Sequence, residues 1–233
     1  MKPNFYFLRL LFFVFFVLVL FSFYSGSVFA KPDWEQRVVN ITWRNVPLKH
    51  GLTQFAKAYR IGLFIDRRID PDMPISFSMD NQNIKTILQK FAESANLSCY
   101  FFDALVYIGP REMHSVLPEL LNKNRNLITQ LPPAVRAKLQ KKIALKIPLL
   151  SEPKIILKKI ATQNQFSWQN LDELPHDIWD ENSLPPMPLN ELLTLILIGF
   201  NSSYDINPPN KNINNTTLKI KNITPQKSIN NSN

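Results

Sequence analysis

Asp172, Glu173, His176, Asp177, Asp180 and Glu181 place five carboxylates and one imidazole within ten residues. Carboxylates beside an imidazole can bind a divalent cation such as calcium, zinc or manganese, or move protons as general acid and base. This set is one contiguous loop, without a second histidine one helical turn away. His50 and His114 lie far off in sequence. Asp and Pro also initiate turns, through side-chain hydrogen bonds and a fixed φ. The loop therefore reads as structural, with a metal-binding protein or a metal-dependent enzyme built on Asp172–Glu181 as the alternative.

A second charged set, Asp66-Arg67-Arg68-Ile69-Asp70-Pro71, follows a short apolar run. Asp66 can pair with one arginine and fix the turn. Alternatively, Arg67 or Arg68 can grip an anionic ligand through the guanidinium fork. Cys99, the single cysteine, sits in an apolar strand pattern and reads as an inert buried thiol. Trp43, Trp168 and Trp179 read as packing residues and not as a sugar-stacking platform. The five glycines form neither G-x-G-x-x-G nor G-x-x-x-x-G-K, which argues against a phosphate-cradling loop. The expectation is a non-enzymatic chain with no cofactor.

The elements that must position these residues begin with a targeting segment. Lys2 and Arg9 precede the twelve-residue apolar run Leu10–Phe21, and Ser25–Ala30 ends it. Residues 1–30 read as a signal peptide cut between Ala30 and Lys31. The competing reading is an uncleaved anchor, attached to the membrane through residues 5–24. The chain of 233 residues carries 27 Lys+Arg against 18 Asp+Glu, a net +9 that becomes +7 once Lys2 and Arg9 are removed. Outside the cytosol that charge points to an anionic envelope polymer, a lipid or an envelope protein. No nucleic acid is expected, because the basic pairs are not interleaved with aromatics.

Beyond the leader the pattern is periodic. Val38–Trp43 alternates as a strand, and Pro47 opens a helix whose Leu48, Leu52, Phe55, Ala56 and Tyr59 share one face. Leu63–Ile65 and Ile75–Met79 read as strands, Ile84–Ala95 as a second amphipathic helix, and Cys99–Phe102 with Leu105–Ile108 as a closing hairpin. A second copy follows about 105 residues later, aligning Leu52 with Leu157, Ala56 with Ala161, Asp72 with Asp177, Leu88 with Leu193 and Asn96 with Asn201. Its counterpart of the Ile75–Met79 strand, Asp180–Leu184, has weak β propensity and is expected short or missing. The helix Leu189–Phe200 is apolar on every face and must be covered all round, by the first copy or the connector, with a partner or membrane surface as the alternative.

The expected fold class is α+β: two tandem small β-α-β-β-α-β-type domains joined by a helical connector. The boundaries are 31–110, a connector at 111–141, a degenerate second domain at 142–222, and a disordered Asn-rich tail at 223–233. The first copy reads as complete in itself.

The run Asn45-Val46-Pro47-Leu48 with Leu52, the strand Leu63–Asp66, and the later pattern through Val106-Tyr107-Ile108 carry a resemblance. This unit resembles the short N-terminal (STN) domain of secretins and TonB-dependent receptors. It resembles more closely a group of exported bacterial proteins that pair such a domain with a degenerate second copy. Pro47, Leu48, Asp66, Asp70 and Pro71, then Pro175, His176, Asp177 and Trp179, match their recurrent signatures. The resemblance implies a periplasmic or envelope interaction module without catalysis. It leaves the partner and the oligomeric state open.

Overall fold

A computed structural model describes residues 33–207 and 216–223. The proposed leader, the Ala30–Lys31 cut, the 5–24 anchor and the tail from residue 224 lie outside the described residues. All contacts below fall within the unit that begins at Trp34.

Six α-helices and ten strands in small sheets make a mixed α+β fold among the described residues. The first half runs β1 (Val38–Pro47), α1 (Leu48–Tyr59), β2 (Gly62–Ile65), β3 (Pro74–Asn83), α2 (Ile84–Ser94), β4 (Leu97–Phe101) and β5 (Leu105–Pro110). Two helices, α3 (Met113–Thr129) and α4 (Pro133–Gln140), connect it to the second half. There follow β6 (Lys142–Ile147), α5 (Pro153–Gln163), β7 (Phe166–Gln169), β8 (Asn182–Pro188), α6 (Leu189–Ile198), β9 (Ser202–Asn207) and β10 (Thr216–Asn222).

The halves share one pairing scheme. β1 and β3 form an antiparallel ribbon, as do β6 and β8. β5 lies between a parallel β2 and an antiparallel β4, and β10 lies between a parallel β7 and an antiparallel β9. Helix starts 105 residues apart correspond, Leu48 with Pro153 and Ile84 with Leu189. Even the left-handed residues recur at that spacing: Asn45 and Leu150, Arg60 and Gln165, Asn96 and Asn201.

Local chemistry explains the helix starts. Pro47 and Pro188 precede α1 and α6 with φ of −56° and −54°, already near the helical value. The Asp70–Met73 turn caps α1, because the Leu48 and Lys49 amides donate to the carbonyls of Met73 and Pro71. Asn83 caps α2, its side chain accepting from the Thr86 amide at 2.8 Å.

Two hydrophobic cores share one sheet. Along β5, Val106 and Ile108 face the core under α1 and α2, while Leu105 and Tyr107 face a second core built with α3–α6. Alternation along a strand sends successive side chains to opposite faces, so β5 is buried on both sides. The first half is therefore not closed on itself, contrary to expectation: Phe64, Leu105 and Tyr107 need the second core as cover.

The all-apolar α6 lies in that second core, with every residue from Leu192 to Ile198 at most 1% exposed. A buried polar chain ties it to the connector. Asn124 donates to Thr194 at 2.9 Å, and the Asn190 carbonyl accepts from Thr194 and Tyr204. Strand β8 corrects the expectation of a short or missing element. It is seven residues long and carries three prolines at an edge, where the lost N–H donors are tolerated. Leu184 and Met187 anchor it in the core.

Candidate functional site

The charged segments around Asp66 and Asp177 meet in space. Asp66 sits one residue past β2, where its amide continues the ladder to the Ile108 carbonyl at 2.8 Å. Its carboxylate is buried. Arg68 grips it with both Nε, at 2.8 Å, and Nη2, at 2.7 Å, and the Tyr107 hydroxyl donates at 2.6 Å. The remaining Arg68 nitrogen, Nη1, reaches the second half and donates to the side-chain Oδ1 of Asn201 at 2.5 Å.

Arg67 makes the second crossing. Its Nε donates to Asp177 at 2.6 Å, and its guanidinium lies 4.7 Å from the centre of the Phe200 ring. Trp179 donates to the same Asp177 oxygen at 2.7 Å, stacks on Phe200, and meets Phe64 edge-on at 5.8 Å. Lys49 pairs with Asp180, and the Asn182 side-chain Nδ2 donates to the Leu63 backbone carbonyl at 3.2 Å. Both arginines proposed as ligand grips are thus engaged within the chain.

Electrostatics follows from these contacts. Burial pushes the Asp66 carboxyl up, but the hydrogen bonds from Arg68 and Tyr107 outweigh it, and the net position is below the ordinary range. The same contest at Asp177 is won by Arg67 and Trp179. Asp180 is lowered by Lys49. Burial, then the neighbouring Asp66 charge, raises the Tyr107 phenol, so it remains a donor at any physiological pH. Burial also pushes the Cys99 thiol up to about 12, which keeps it protonated and unreactive.

The alternative metal loop is not assembled. Asp177 and Asp180 turn to Arg67 and Lys49. His176 is exposed and 3.7 Å from Glu152, and Glu173 accepts from Asn170. Among the described residues, no group of three or more His, Cys, Asp or Glu side chains is placed to hold an ion. Pro175 is exposed, and Asp70 accepts the Asp72 amide in the turn before α1.

Beside the seam runs an open groove of about 840 Å³, within the size range of ligand sites. Its floor includes Phe64, Ile147 and Ile196. Of its acids, Asp66, Asp177 and Asp180 are paired and Glu181 is not, while Lys57, Arg60 and Lys146 have no side-chain partner among the described residues. The sequence reading missed Tyr107, Asn201 and the groove cations. Only the alternation of β5 marked Tyr107 as facing away from Val106.

No protein-family model and no curated protein matches this chain. Among the described residues no helix is long and apolar enough to cross a membrane.

Proposed function

We propose that this chain is an exported, non-enzymatic envelope module, built of two STN-like domains in tandem, that binds another envelope component in the groove between them. The carrying observation is the groove itself: an apolar floor, three unpaired cations on its walls against one unpaired acid, Glu181, and three further acids already neutralised by their own arginines and lysine. The repeated strand order and the shared 105-residue spacing support the tandem reading. Such a wall selects an anionic group on the partner, because unpaired cations at a partly desolvated surface attract and orient it. Capture from solubilised envelope by the tagged full chain, compared with its Lys57→Glu/Arg60→Glu variant, tests this. A partner retained by the parent and lost by the folded variant supports the groove. Identical captures, or a hydrolytic activity abolished by His176→Ala, would overturn it.

A further inference from the structure

Five large hydrophobic side chains are more than half exposed among the described residues, and four of them lie together: Leu149, Leu150, Ile155 and Ile178. Their proximity is built by the backbone. Ser151 and Trp179 exchange hydrogen bonds at 3.2 and 2.9 Å, which brings residue 178 beside the 149–152 turn. The Ser151 hydroxyl closes that turn onto the Pro148 carbonyl at 2.5 Å and leaves Leu149 and Leu150 at its tip. Ile155 follows in the first turn of α5.

The first half supplies an internal control. The positions 105 residues earlier are Arg44, Asn45, His50 and Met73, three of them exposed and polar. Asn45 has φ of 53° and Leu150 has 59°. Asn tolerates this left-handed backbone, whereas Leu is disfavoured in it. The second half thus keeps an apolar residue where both solvent exposure and backbone geometry favour asparagine.

Lysines collar the tip. Lys158 and Lys159 share the exposed face of α5 with Ile155, at i+3 and i+4, where the first half has Thr53 and Gln54. Lys154 lies beside Ile155, and its ammonium bonds the Asp172 carbonyl at 2.9 Å. Glu152 lies 3.7 Å from His176, and the loop that carries Ile178 adds the exposed acids Asp172, Glu173, Asp180 and Glu181, of which Asp180 is paired with Lys49.

We propose that this face docks peripherally on an anionic lipid bilayer, with the four apolar side chains entering the interface and Lys154, Lys158 and Lys159 meeting the headgroups. The chemistry favours lipid over a protein partner. The surface is a protruding tip and not a pocket, it carries no Arg anchor, and lysine is depleted in protein interfaces but common around membrane-inserted aliphatics. Ile178 also lines the groove, but Leu149, Leu150 and Ile155 do not, and the variants below leave the groove's cations in place, so failure here leaves the groove reading standing.

The full chain carrying Ile155→Cys, labelled with an environment-sensitive fluorophore, gives a local readout that the leader segment cannot mimic. Cys99 is replaced by Ser in every variant, so that the label reports position 155 alone. Vesicles of phosphatidylcholine with 30% phosphatidylglycerol should shift the emission to the blue, and pure phosphatidylcholine should not. Replacing the three lysines with Gln should weaken binding about fivefold each, or about a hundredfold together. Leu149→Arg/Leu150→Asn, which restores the first half's residues and relieves the left-handed leucine, should fold normally and abolish the shift. An unchanged emission on anionic vesicles, or an equal shift in the Leu149→Arg/Leu150→Asn variant, would overturn the proposal.

Discussion

The Tyr107 hydroxyl donates to Asp66 from the opposite strand of a parallel pair, 41 residues away in sequence, and Gly109 gives its ring the room to do so. A Cβ at position 109 would fall 2.2 Å from the Tyr107 oxygen and 2.4 Å from two ring carbons. The glycine is required by close approach, since its φ is ordinary.

Gly109→Ala should therefore expel the ring and leave a buried carboxylate short of one donor. Tyr107→Phe removes only the hydrogen bond to a charged group, worth about 1.5–3 kcal/mol. Gly109→Ala adds the displaced ring and should lose more than Tyr107→Phe in urea unfolding. Equal losses would show that the ring finds another seat without leaving Asp66.

The two neighbouring arginines should differ sharply. Arg68 serves a carboxylate with 0% exposure, so Arg68→Ala strands a buried charge and should cost about 3–5 kcal/mol. The Arg67–Asp177 pair is 36% and 20% exposed on its two side chains, so solvent screens it. Arg67→Ala should cost about 1 kcal/mol or less. Denaturation midpoints of the two variants decide it, and a milder effect at Arg68 would mean that Asp66 is protonated in the folded chain.

Acid should loosen the seam. Asp66 and Asp177 both have folded-state pKa values below their unfolded ones. Their stabilisation is fully present above the unfolded carboxylate value of about 3.9 and is lost as pH falls through the lower folded values. Unfolding free energy should thus decline below about pH 4, and Asp66→Asn should flatten that limb while lowering stability at neutral pH. A variant whose acid limb is as steep as the parent's would place the titration elsewhere.

The recurrence of Leu52 as Leu157 and of Asn96 as Asn201 made the architecture legible, because duplicated core and turn positions keep their spacing. The uniformly apolar Leu192–Ile198 marked a helix that needs cover on all sides. Strand β8 was not legible: Pro185, Pro186 and Pro188 argue against a strand until the position is known to be an edge, with Gly62 allowing Pro185 to approach within 2.7 Å of where its Cβ would stand. The signature residues Asp66 and Asp177 were legible as turn charges. That Arg68 also reaches Asn201, and Arg67 reaches Phe200, follows only from how the two halves dock, which no local pattern encodes.

Phe64, Leu105 and Tyr107 decide how the halves depend on each other. The sheet β2-β5-β4 covers one face with α1 and α2 and offers these three side chains to the core beyond. A fragment ending near Asn124 keeps α3 up to that point but loses α6, Trp179 and Phe200. Burial is worth roughly 25 cal/mol per Å² of apolar surface, so an aromatic pair and a leucine left open are a substantial loss for a small domain. The fragment should retain helical circular dichroism, bind an apolar dye and unfold with a shallow transition. A fragment starting near Gln140 should aggregate, because α6 then lacks Asn124 and the first half's sheet. Mixing the two fragments should restore a cooperative transition and suppress dye binding. Separate fragments that each unfold cooperatively without dye would show that the shared core is dispensable and that each half closes over its own sheet.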